Sequence, residues 1–227
     1  LVITLIIDML LCWTSYFKKI TVMRVITKPL FCLVLMAIVL LNVEWKNYVI
    51  VFCVGLFFSF LGDLFLLMDG MEFFALGLIS FLVGHMCNIA GYTMTLYPGT
   101  SLFTMPLFIA GIFTSVPIMQ AAKSKTQRFM ALPVHIYSSF LVGGSFCALN
   151  TLGPITGKDW TLFSGILNTF GYLSFVVSDA VLAYHTFVRK SMLTSMIIIT
   201  TYHVAQMCLM GGLIYNENYN ELLSTFA

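Results

Sequence analysis

Charge is what this sequence has least of. Asp, Glu, Lys and Arg make up 9% of its 227 residues, against about 25% in an ordinary soluble domain. From Phe73 to Ala122 there is none. A water-soluble globule of this size could not cover itself with so little polar surface. The composition also excludes a disordered or collagen-like chain, and a net charge of +2 with no basic stripe argues against a nucleic-acid partner. CxxC pairs are absent as well. The cysteines at 12, 32, 53, 87, 147 and 208 fall singly in apolar runs, where a thiol behaves as a small hydrophobe rather than as half of a disulfide or a zinc ligand.

What is there is hydrocarbon. Hydrophobic residues reach 60% and aromatics 15%, and the mean hydropathy is +0.99. The bilayer is the solvent. Windows long enough to cross it lie near 1–17, 27–43, 48–68, 73–95, 103–121, 130–149, 160–186 and 192–214. The expected fold is an all-α polytopic membrane protein, a bundle of about eight transmembrane helices forming one domain over residues 1–227. The runs lack the alternation of barrel strands. Pro106, Pro117 and Pro133 fall in or near spans and are expected to kink them. The first window carries Asp8 in its middle, and residue 1 is Leu rather than Met, so the natural start is open to truncation or trimming; no cleavable signal pattern is visible.

The connectors carry the charge. Those after the first, third, fifth and seventh windows hold nine Lys and Arg, counting Lys28, and the other side holds Lys46 and Lys158. The asymmetry puts the odd connectors in the cytoplasm. The expected location is the endoplasmic reticulum membrane for a eukaryotic chain and the inner membrane for a bacterial one.

A charge at membrane depth is costly, so its default reading is functional. Asp63 and Asp179 lie inside the third and seventh windows, and Lys28 precedes Pro29 at the start of the second. Lys28 alone would pass for a snorkelling anchor. Asp63 stands six residues before Asp69 and Asp179 ten before Arg189, about 9 and 15 Å from the cytoplasmic end at a helical rise. All three can converge in one half of the bundle. A faint internal echo accompanies them: Ser59-Phe60-x-x-Asp63 against Ser174-Phe175-x-x-x-Asp179, and His85-x-x-Asn88 against His203-x-x-Gln206. The remaining histidines, His135 and His185, read as bundle hydrogen-bonders or interfacial residues.

Two carboxyl groups removed from water cannot both ionise readily, so one can give a proton while the other holds charge or positions water. That suits reactions that protonate a substrate and then need water: cleavage of a peptide bond, an acetal or an enol ether. Gly62-Asp63 echoes the Gly-x-Gly-Asp of aspartyl intramembrane proteases, but Phe60 occupies the first Gly position and Ser178 that of the Tyr before the second acid. A zinc hydrolase would need clustered ligands, and His85, His185 and His203 form no HxxxH or HExxH pair. A proton- or lipid-coupled transporter or channel using the same acids stays open.

Several motifs together resemble the YhhN-like lysoplasmalogenases. They are Lys28-Pro29, the helix Gly55 to Leu66 with Ser59 and Gly62-Asp63, Gly84-His85, the Ser178-Asp179 helix from Phe175 to Ala183, and Thr200 to Met207 with Tyr202 and Gln206. The chain departs from that family's pattern in having Asn88 and His203 where Tyr is usual. The resemblance implies hydrolysis of the vinyl ether bond of a 1-alkenyl lysophospholipid to a fatty aldehyde and glycerophospho-ethanolamine or -choline. It implies Asp63 and Asp179 as the acid/base pair, with either as the acid. Lys28, His85, Tyr202, Gln206, Ser59 and Ser178 would tune the acids or bind the substrate. Neither a metal nor an organic cofactor is expected, and the partners are the lysolipid and the bilayer.

Overall fold

The computed structural model describes residues 2–18, 20–96, 129–152 and 160–226. Their elements are helices: α1 (Val2–Phe17), α2 (Thr21–Asn42), α3 (Asn47–Phe65), α4 (Met71–Thr95), α5 (Ala131–Asn150), α6 (Leu162–Phe187) and α7 (Met192–Phe226). Six of them, α2 to α7, are long and apolar enough to cross a membrane, and α1 is a shorter apolar helix of 16 residues. The all-α polytopic fold follows from composition and periodicity, as expected. The window at 103–121, with Pro106 and Pro117, lies outside the described residues.

Two boundaries differ from the hydropathy reading, and for one reason. Helix α2 starts at Thr21 rather than near 27, so Lys28 is not at a helix start but two turns inside, and it is buried. Helix α7 runs on to Phe226 rather than ending near 214. Charged and amide residues end a hydropathy window, yet they continue a helix where partners satisfy them. Lys28 pairs with Asp63. Asn216 accepts the Thr161 backbone N–H at 2.8 Å, and Glu217 is ion-paired to Lys46 at 2.6 Å and accepts from the Tyr48 hydroxyl.

Local signals set the ends. Gly70 precedes α4 with φ of 127°, a conformation that resists a side chain, and makes the tight α3–α4 turn. The Thr161 hydroxyl caps α6 by accepting from Ser164 N. Pro133 sits in the first turn of α5, where its missing N–H costs nothing. Pro29, inside α2, instead removes the bond to the Val25 carbonyl.

The bundle is apolar outside and polar at selected points within. Phe129, Ile3, Leu41 and Leu173 face outward, while Asp63, His85, Ser178, His203 and Gln206 are buried. Helices α3 and α4 pack along each other, as do α6 and α7. The first pair touches backbone to backbone: a Cβ on Gly84 would lie 3.2 Å from the Gly55 carbonyl oxygen, and one on Gly55 would lie 3.2 Å from that of Gly84. Small residues allow this approach, and without water it is packing that joins helices.

Candidate active site

Helix α3 presents Ser59 and Asp63 on one face, four residues apart, and α7 presents Tyr202 and Gln206 likewise. The faces meet in two rungs. The Tyr202 hydroxyl donates to Asp63 Oδ2 at 2.8 Å, and Gln206 Nε2 donates to Ser59 Oγ at 3.0 Å. The higher-numbered residue of one helix meets the lower of the other, so α3 and α7 run antiparallel. From α2, Lys28 Nζ stands 3.1 Å from Asp63 Oδ1. One turn on, Cys32 Sγ lies 3.7 Å from Asp63 Oδ2 and 3.0 Å from the Tyr202 hydroxyl. Asp63 is 1% exposed. A buried carboxyl group with a cation and a phenol on it is held by three helices at once.

Asp179 has a different setting. The Tyr137 hydroxyl, from α5, donates to Asp179 Oδ2 at 2.5 Å, and His85 Nε2, from α4, lies 3.1 Å from that hydroxyl and 3.8 Å from the same carboxyl oxygen. The Asp179 side chain is 14% exposed. The other ring nitrogen of His85, Nδ1, is buried with no hydrogen-bond partner among the described residues. Ser178 turns away from both acids and donates to the Ile198 carbonyl at 3.1 Å.

The two acids thus sit in adjoining clusters and share no hydrogen-bond partner among the described residues. Phe175, one turn before Asp179, packs edge-on against both, its ring centroid 5.8 Å from that of Tyr202 and 5.2 Å from that of His85. Each acid draws a partner from the other helix pair: Asp63 of α3 from α7, and Asp179 of α6 from α4. The echoed histidines are not equivalent. His85 belongs to the Asp179 cluster, whereas His203 accepts from Trp13 Nε1 of α1 at 3.0 Å and lies 4.1 Å from the Phe31 ring. His185 bonds Thr194 at 2.5 Å, outside both clusters. Among the described residues no three His, Cys, Asp or Glu side chains are grouped so as to hold a metal.

Tyr137, Cys32 and Trp13 are the contacts sequence reasoning missed. Tyr137 stands three residues from Val134 and four from Leu141, both buried, and that spacing marks an inward face. Beside the Lys28–Asp63 pair opens a cavity of about 520 Å³. Lys28 lines it, and so do Leu182, one turn past Asp179, and Ile198, whose carbonyl Ser178 holds. Neither Asp63 nor Asp179 lines the cavity; it reaches the first through Lys28 and comes within one turn of the second.

A multi-span helical membrane protein with one buried and one part-exposed carboxyl cluster near a cavity that holds charged side chains is the class these observations define. The sequence pattern of the YhhN family matches residues 23–213, most of the chain, and the chain belongs to that family, the family of lysoplasmalogenases. No curated protein and no solved structure matches the chain closely enough to count as a relative.

Proposed function

We propose that the protein hydrolyses the vinyl ether bond of 1-alkenyl lysophospholipids, with Asp179 as the proton donor and Asp63 as the fixed anion. The observation that carries this reading is the unequal pairing of the two acids. Asp63 has the Lys28 ammonium at 3.1 Å and the Tyr202 hydroxyl at 2.8 Å, two donors that hold a carboxylate in its charged form. Among the described residues Asp179 has no lysine or arginine partner, and it is the more open of the two, so it is the group able to carry a proton to a ligand.

In the first step the Asp179 proton moves to the β-carbon of the alkenyl group, and the π electrons form the new C–H bond. The carbon attached to oxygen becomes an oxocarbenium ion, facing the carboxylate just formed. Tyr137 stabilises that carboxylate by the hydrogen bond it already makes. Water then adds to the cation and returns a proton to the Asp179 carboxylate, while the Asp63 anion, held by Lys28 and Tyr202, supports the positive charge. In the resulting hemiacetal the Asp179 proton passes to the glycerol oxygen, which leaves as a hydroxyl, and the hemiacetal hydroxyl returns its proton to the Asp179 carboxylate as the aldehyde forms and departs. His85 orients Tyr137, and Gln206 with Ser59 keeps α7 and α3 in register. The tail lies among the Phe- and Leu-rich helices. No resident cofactor enters these steps. The reading carries with it the endoplasmic reticulum membrane in a eukaryote or the inner membrane in a bacterium.

The test is aldehyde release by purified protein from a 1-alkenyl lysophospholipid, with the 1-acyl ester analogue as control. Turnover of the alkenyl lipid alone supports the reading. Flux of lipid or protons across liposomes with no covalent change would replace it with the transporter, in which the same acids serve as a relay.

A further inference from the structure

The cavity beside Lys28 carries both signs of charge. Arg24 and Lys28 of α2 and Lys190 of the α6–α7 turn line it, and so does Asp69 of the α3–α4 turn. Lys28 is already paired with Asp63, but Arg24, Lys190 and Asp69 enter no ion pair among the described residues. Opposite charges that share a cavity and do not neutralise one another offer a ligand separate positive and negative ends. Arg24 is oriented in advance, its guanidinium carbon 4.3 Å from the centre of the Tyr16 ring, and its Nε is buried without a hydrogen-bond partner among the described residues. Buried donors are rarely left so, and an anionic oxygen would satisfy this one.

Spacing ties this cavity to the acids. Arg24 and Lys28 lie four residues apart on one face of α2, so Arg24 sits about 6 Å further along the axis from Lys28 and its partner Asp63. The glycerol segment between the phosphate and the ether oxygen of a lysolipid covers a comparable reach. By the Lys/Arg asymmetry this end of the bundle faces the cytoplasm, at the level where head groups lie.

The geometry points to a receptor for a zwitterionic phospholipid head, in which Arg24 and Lys190 take the phosphate and Asp69 takes the ammonium group. It rests on the lysolipid reading above and adds what selects the head. A bare phosphate would meet the same two cations but leave Asp69 without a partner. An uncharged glycerol head would engage neither end.

Binding of saturated 1-alkyl lysophospholipids, which have no vinyl ether to cleave, tests this on the purified full chain without reference to turnover. Wild type should hold the phosphoethanolamine head more tightly than the bare phosphate head, and both more tightly than 1-alkylglycerol. Asp69→Asn should weaken the phosphoethanolamine lipid about tenfold and leave the phosphate lipid within a factor of two. Lys190→Gln should weaken both phosphate-bearing lipids, and Arg24→Gln should do so more strongly. If Arg24→Gln does not fold, Lys190→Gln and Asp69→Asn, at turn positions, carry the test. Free phosphoethanolamine, the same head without a tail, should bind at least a hundredfold more weakly than the lipid. The proposal is overturned if Asp69→Asn shifts both lipids equally or neither, if 1-alkylglycerol binds as well as the phosphate lipid, or if free phosphoethanolamine matches the lipid. A protein that shows the expected binding but releases no aldehyde from the alkenyl lipid would end the hydrolase reading and leave this one standing.

Discussion

Asp63 and Asp179 are the same residue type on two long helices, yet their surroundings share little. Asp63 is sealed in, with a lysine, a tyrosine and a cysteine on its two oxygens. Asp179 is part-exposed, touched by a tyrosine and a histidine and, among the described residues, paired to no lysine or arginine. On the function proposed above, the first arrangement maintains a charge, because a buried ion pair is expensive to break, and the second serves as the proton donor. Two identical carboxyl groups are given different neighbours, and the proposed division of work follows from them.

The largest test of that contrast is loss of turnover. Asp63→Asn and Asp179→Asn should each lower aldehyde release by about 10²–10⁴-fold, the range for removing a positioned acid or base. Either mutant keeping wild-type activity would take its acid out of the chemistry. Folding should then separate the two. Asp63→Asn strands the Lys28 ammonium in a buried site and should cost about 3–5 kcal/mol. Asp179→Asn disturbs one hydrogen-bonded contact and should cost about 1–2 kcal/mol. Thermal unfolding in detergent compares them, and equal losses would erase the distinction. The double substitution Lys28→Met with Asp63→Leu sharpens it further, since it should recover most of the stability of Asp63→Asn and none of its activity.

Smaller effects belong to the phenols. Tyr137→Phe should lower kcat about tenfold with little change in unfolding temperature, because Asp179 loses the hydroxyl that donates to it. Tyr202→Phe should instead cost about 1 kcal/mol of stability, since Lys28 still holds Asp63. Reversal of that order would mean that the clusters have been assigned the wrong way round. The least change is expected for Ser59→Ala, about 1 kcal/mol from leaving the Gln206 amide without its acceptor.

Much of this arrangement is legible in the chain before any coordinates, for identifiable reasons. A charge inside an apolar run announces itself, so Lys28, Asp63 and Asp179 stand out by cost alone. Helical spacing then puts Ser59 with Asp63 and Tyr202 with Gln206, and these prove to be the faces on which α3 and α7 meet. Cheaper residues hide. Tyr137 looks like any aromatic in a helix, and Cys32 like any small hydrophobe, until the neighbouring helix supplies a partner. Arg24 and Lys190 pass for connector charges, although the bundle folds them into one cavity with Asp69. The start of α2 and the end of α7 depart from the hydropathy windows for the same cause: hydropathy counts a charge as water-facing, and Lys28 and Glu217 face partners inside the protein.

The contact of α3 with α4 at Gly55 and Gly84 has a consequence for traffic. Backbone meets backbone there, with the side chains of Asn88, Cys87 and Ser59 packed against the same spot, so that seam leaves no gap for an alkyl chain to enter. A single-chain lipid arriving from the bilayer has to slip in along some other groove, and an aldehyde has to leave by one. Bulkier residues at these glycines would pry the pair apart, and the earliest symptom would be leakage of solvent or lipid along a wall that is normally shut.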